Sequence, residues 1–94
     1  MGISPLDRRL LINEDVVFRD VEGETVLLHL ERGIYFGLDV VGTRVWSALV
    51  EHGHARPAVA PLLHEFDVTP ETLEDDIGRL LDALSANDLV RARP

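Results

Sequence analysis

The chain reads as an α+β domain of the winged helix-turn-helix-like kind: a three-stranded antiparallel β-meander followed by three α-helices. Three observations carry that expectation. Two glycine-bearing turns separate alternating apolar runs between Val16 and Leu38, the apolar period lengthens to that of a helix after Leu38, and two further helical stripes follow before the C-terminus.

The meander is built from its turns. A three-residue loop of Glu31, Arg32 and Gly33, with Gly33 left-handed, would set Leu30 opposite Ile34, Leu28 opposite Phe36 and Val26 opposite Leu38, all on one buried face. The same grammar upstream, a loop of Val21, Glu22 and Gly23, pairs Phe18 with Val26 and Val16 with Leu28 on that face. His29 then points away from the core.

Val41, Val45, Trp46 and Leu49 follow helical spacing, with Asp39 as N-cap, Gly53 as stop and Trp46 in the core. A second helix is expected over Pro57 to Phe66, its stripe formed by Val59, Leu62, Leu63 and Phe66. The third opens on a Thr69 cap with Pro70 at its first position, carries acids in its first turns and sends Leu73, Ile77, Leu80, Leu81 and Leu84 inward until Asn87 stops it. Leu89 and Val90 would return to the sheet or cap the core. Residues 1–15 are expected as an N-terminal arm whose Leu10, Leu11 and Ile12 could dock on the sheet, residues 16–90 as a single domain, and residues 91–94 as a tail.

Ninety-four residues with 46% hydrophobic content suit one small core. Without cysteine there are no disulfides or thiolate metal sites, and no apolar run has the length of a membrane span or signal peptide. A cytoplasmic location is expected, with no membrane partner.

Winged helix-turn-helix domains suggest DNA, but the charge opposes it. Nine arginines, no lysine and seventeen acids leave a net charge of -8, and the third helix, the reading head in such a fold, begins with Glu71, Glu74, Asp75 and Asp76. No nucleic-acid partner is expected. The basic pairs Arg8/Arg9 and Arg91/Arg93 are read as solvated ends.

No catalytic, metal or cofactor site emerges. His52 and His54 flank a helix end without a carboxylate placed to complete a metal site, so they read as loop histidines. His64 reads as a half-exposed helical residue, Asp75 and Asp76 diverge by about 100° around their helix, and no phosphate loop or nucleophile elbow is present. The chain is expected not to be an enzyme.

The run VLLHLERGIYFGLDVVGTRVWSALVEHG, followed by HEFDVTPETLEDDIGRLLDALSANDLV, resembles the PqqD family, also called the RiPP recognition element, over Val17 to Val90. The resemblance is carried by Gly33, Tyr35, Phe36, Leu38 and Asp39, by the Gly42 and Trp46 spacing, and by Asp76 and Ile77. Asp39 stands where the family more often has Asn, an equally good cap.

What the resemblance implies is a non-catalytic module that holds the leader of a ribosomally made precursor peptide by β-strand addition and presents it to a separate enzyme. That enzyme would be a leader peptidase of a lasso-type pathway, or a radical SAM enzyme as in pyrroloquinoline quinone synthesis; the aromatic strand leans to the lasso type. The implied peptide-binding residues are Ile34, Tyr35, Phe36, Gly37 and Leu38 on the third strand, with Leu73, Asp76, Ile77 and Leu80 on the third helix. Phe36, Leu38, Leu73, Ile77 and Leu80 also have the spacing of ordinary core residues, whereas Tyr35 falls on the exposed face. The rival readings are a winged-helix transcriptional regulator and a homodimerisation module pairing its open strand edge. The expected state is a monomer or weak homodimer.

Overall fold

Two tight turns set the meander in the computed structural model, which describes residues 2–94. Strand β2 (Val16–Val21) turns into β3 (Glu24–His29) through Glu22 and Gly23 alone, both at positive φ (54° and 85°). That is the two-residue turn whose twist matches paired strands. The chain re-enters the sheet as β4 (Ile34–Leu38) after a four-residue loop, Leu30 to Gly33, in which Gly33 has φ 68° and donates its amide to the His29 carbonyl.

These turns overturn the expected register. The three-residue loops would have paired Val26 with Leu38 and with Phe18; instead Val26 sits opposite Gly37 and Arg19, while Leu27 sits opposite Phe36 and Phe18. Both displacements have one cause. Strands β2 and β4 keep their expected faces, with Val16, Phe18, Ile34, Phe36 and Leu38 toward the helices, but β3 is turned over. Thr25, Leu27 and His29 go inward and Val26, Leu28 and Leu30 go outward. Because side chains alternate with period two, a slip of one residue exchanges every face. Glu22 is the ill-suited member of its turn: replacing it with Asn should stabilise the fold by about 0.5–1 kcal/mol, read as a higher urea midpoint at unchanged m, since the short Asn amide hydrogen-bonds to the local backbone and tolerates the left-handed region better.

Helix α1 (Val40–His52) starts where Asp39 accepts the Gly42 amide at 2.8 Å and ends at Gly53, left-handed at φ 78°. It lays Val45, Trp46 and Leu49 on the sheet, with the Trp46 ring edge-on to Phe18 at 5.5 Å. A 3-10 turn, Arg56–Ala58, precedes α2 (Val59–Glu65), so the second helix is shorter than the expected Pro57 to Phe66. Leu62 is buried, but Phe66, read as inward, is the extended cap residue and is 39% exposed. Helix α3 (Pro70–Ala86) is capped by Thr69, whose hydroxyl accepts the Thr72 amide, and buries Leu73, Ile77, Leu81 and Leu84, with Leu80 half-buried. Asn87 ends it, and Asp88 takes the left-handed conformation that redirects the chain.

The two chain ends close the core together. Strand β1 (Leu10–Ile12) pairs antiparallel with β5 (Val90–Ala92) in a sheet separate from the meander. Leu6, in a 3-10 turn at Pro5–Asp7, and Leu10 are buried, as are Leu89 and Val90. The segment read as an arm therefore contributes to the core, Leu89 and Val90 cap it, and Arg91 and Ala92, read as part of a tail, continue β5 opposite Leu11 and Leu10. Arg8 to Asp82 and Arg56 to Asp7 fasten it at the surface.

Candidate functional site

Strand β4 is an edge. The sheet order is β2-β3-β4, and among the described residues nothing pairs with the far side of β4. The ladder's alternation decides which groups face outward. A two-residue turn closes on a hydrogen-bonded pair, here Val21 and Glu24, so β3 bonds to β2 through Glu24, Val26 and Leu28 and to β4 through Thr25, Leu27 and His29. The Leu30 amide continues the first series by donating to Asp15 at 2.8 Å. On β4, the residues opposite Val26 and Leu28 are Gly37 and Tyr35. Their backbone N–H and C=O groups therefore point to the open edge, available to an added strand.

Beside that edge lies a groove of about 330 Å³ lined by Gly37, Leu38, Asp39, Val41, Gly42, Val45, Asp76, Ile77 and Leu80. Its floor is aliphatic. Gly42 lets the first turn of α1 press against β4, since a Cβ there would stand 3.3 Å from Leu38 and from Asp39 Oδ1. The charged groups on its rim are two carboxylates. Asp39 uses Oδ1 to cap α1, and Asp76 uses Oδ1 to accept from Arg79 at 2.6 Å.

Of the residues singled out from the sequence, Gly37, Leu38, Asp76, Ile77 and Leu80 meet in this groove. Ile34 and Phe36 are half-buried on the inner face of β4, Leu73 is in the core at 3% exposure, and Tyr35 stands on the outer face at 73%. Asp39, Val41, Gly42 and Val45 were read as cap, spacing and core residues; their part in the lining follows from how α1 sits against β4, which no local pattern encodes.

The inverted β3 gives the sheet an apolar outer face. Val17, Val21, Val26, Leu28 and Tyr35, with Arg19, surround a hollow there of about 320 Å³, and among the described residues no element covers it. Contiguous apolar surface of this kind marks an interaction face.

On the inner face the cost of the inversion is a buried histidine, contrary to its expected exposure. His29 is 1% exposed. Its Nδ1 accepts the Arg32 amide at 3.2 Å, which leaves Nε2 to carry the proton and donate to Asp88 Oδ2 at 3.2 Å. Asn13 donates to the same oxygen at 3.0 Å and to the Asp88 carbonyl at 2.8 Å. One network thus ties the β3–β4 turn to the bend before β2 and to the end of α3. The hydrogen bond from His29, then the charges of Arg32 and Arg91, hold the Asp88 carboxyl below the usual carboxylate range.

His52 and His54 lie with ring centroids 6.4 Å apart, and among the described residues no group of three or more acids and histidines is placed to hold a metal ion. Among those residues, too, no helix is long and apolar enough to cross a membrane.

Comparison with known proteins places this geometry. The family model described as coenzyme PQQ synthesis protein D (PqqD) matches residues 24–90. No curated protein sequence matches the chain. Among solved structures, "TbiB1 in Complex with the TbiA(beta) Leader Peptide" is 38% identical, covers 88% of this chain and 96% of that one, and superposes with a TM-score of 0.78. "Lasso peptide synthetase B1 complexed with the leader peptide" shares the fold at 19% identity, with a TM-score of 0.79 over 88% of this chain and 98% of that one. With more than half its length matched from β3 to the start of β5, the chain belongs to the PqqD family.

Proposed function

We propose that this protein is a non-catalytic recognition element that binds the leader of a ribosomally made precursor peptide and presents it to a separate maturation enzyme. The observation that carries the reading is the open edge of β4, with the Tyr35 and Gly37 backbone groups free and an aliphatic groove against α3 alongside. A leader strand added there gains register from main-chain hydrogen bonds and specificity from side chains entering the groove. The peptide-binding set is Ile34, Tyr35, Phe36, Gly37 and Leu38 with Leu73, Asp76, Ile77 and Leu80, of which Leu73 and Phe36 act from beneath by supporting the walls. The 38% identical TbiB1, solved with a leader peptide, supports the ligand class. A lasso-type pathway, in which the partner is a leader peptidase, is favoured over quinone synthesis by the same likeness and by the lasso synthetase that shares the fold. The protein contributes effective concentration and orientation, and the chemistry belongs to its partner.

The test is a fluorescence-polarisation titration with labelled leaders from the short reading frames beside the gene, against the wild type and a Gly37→Pro variant. Pro is tolerated where the amide faces outward on an edge strand, and no atom lies within 4 Å of a Cβ at Gly37, so the variant should fold. Saturable binding by the wild type, weakened at least about tenfold by the lost donor and the added ring, is the expected result. Failure of the folded wild type to bind any of these leaders overturns the reading.

A further inference from the structure

Resting on the leader-binding reading, we infer that the leader segment crossing the groove carries a lysine or arginine two residues from the aliphatic residue that fills it, and that Asp39 and Asp76 select it. The groove asks for two chemistries at once. Leu38, Val41, Val45, Ile77 and Leu80 offer an apolar slot, while the charges bordering it are both negative. Neither carboxylate is spent. Asp39 and Asp76 each commit Oδ1, and among the described residues Oδ2 of each has no hydrogen-bond partner. The Arg79 contact does not neutralise Asp76 for a ligand, because both side chains are largely exposed, at 75% and 53%, and such a pair is easily exchanged.

The surrounding field points the same way. Glu71, Glu74 and Asp75, which line a separate hollow in the first two turns of α3, form no salt bridge among the described residues, and the whole chain carries a net charge of -8. An acidic leader would enter against that potential and a neutral one gains nothing from it, whereas a basic one is drawn in and oriented by it. Alternation supplies the geometry within the peptide. In an added strand, residues two apart project to the same face, so an aliphatic side chain entering the groove brings the residues two positions before and after it to the same side, near the rim.

The experiment uses the full chain and two fluorescein-labelled peptides: the leader encoded beside the gene, and a copy in which each lysine and arginine is glutamine. Both are titrated against the wild type and an Asp39→Asn/Asp76→Asn double variant at two salt concentrations. Asn at position 39 still caps α1, so the fold is preserved. The expected result is that the glutamine copy binds the wild type about tenfold more weakly at low salt, that high salt narrows this difference, and that the double variant loses about threefold per carboxylate for the native leader but nothing for the copy. If both peptides bind the wild type equally, or the double variant still discriminates between them as the wild type does, the charge selection is overturned while leader binding stands. If neither peptide saturates the folded wild type, the leader-binding reading falls and the selection falls with it.

Discussion

Thermal denaturation of a His29→Leu variant should fall about 10 °C below that of the wild type, although the change places an apolar residue at an inward position of a strand. Leucine fills the space but cannot accept the Arg32 amide or donate to Asp88, and His29 makes both bonds at 1% exposure. Those two bonds hold the β3–β4 turn and the end of α3 together, and their loss outweighs the gain from a few added methyl contacts. The variant should differ in its acid limb too. In the wild type the Asp88 pKa is depressed in the folded state, so the stabilisation it supplies is present above the ordinary carboxylate pKa of about 4 and is lost as the pH falls through the lower folded value. The largest contribution to that depression is the His29 hydrogen bond, so the variant's stability should decline less as the pH falls below about 4. A melting temperature equal to or above wild type, with an unchanged acid limb, would show that the network is ornamental.

Leader binding should weaken about twentyfold in a Leu80→Asn variant, with only a small loss of stability. Leu80 is half-buried on α3 and lines the groove, so its side chain completes its burial when a leader residue packs on it. Fully burying a leucine is worth about 1.5–3 kcal/mol relative to exposure, and replacing it by a neutral amide forfeits much of that and desolvates a polar group besides. The neutral substitution separates this effect from the charge selection by Asp39 and Asp76. Calorimetric titration against the leader measures it, with Leu80→Met as the volume-conserving control that should bind nearly as wild type. An unchanged affinity for Leu80→Asn would place the leader away from the groove.

Much of this protein is legible along the chain because its helices are locally specified. Asp39, Gly53, Thr69, Pro70 and Asn87 act where cap and stop chemistry put them, and the stripe Leu73, Ile77, Leu81, Leu84 turns inward because its spacing closes one face of a helix. The edge of β4 was legible as well, since the last strand of a meander has only one neighbour. The net charge of -8, which opposes a phosphate backbone, needs no coordinates.

The face of β3 is where sequence and structure part. By apolarity alone Val26, Leu28 and Leu30 belong inside and Thr25 and His29 outside. Two turns of different length, and the bond His29 makes with Asp88, 59 positions away, decide otherwise. A period-two pattern specifies that a strand has two faces; which one is buried depends on turn geometry and on polar partners that are remote in sequence. The groove has the same origin. Asp39 and Gly42 were visible as a helix cap and a spacing, and Asp76, Ile77 and Leu80 as residues the family resemblance implies for peptide binding, but Asp39, Gly42 and Val45 meet them only because α1 and α3 pack beside one strand edge. Caps, stripes, edges and net charge are properties of neighbours along the chain, and the sequence by itself determined them. The buried face and the shape of the binding groove depend on contacts between distant segments, and only the tertiary structure decided them.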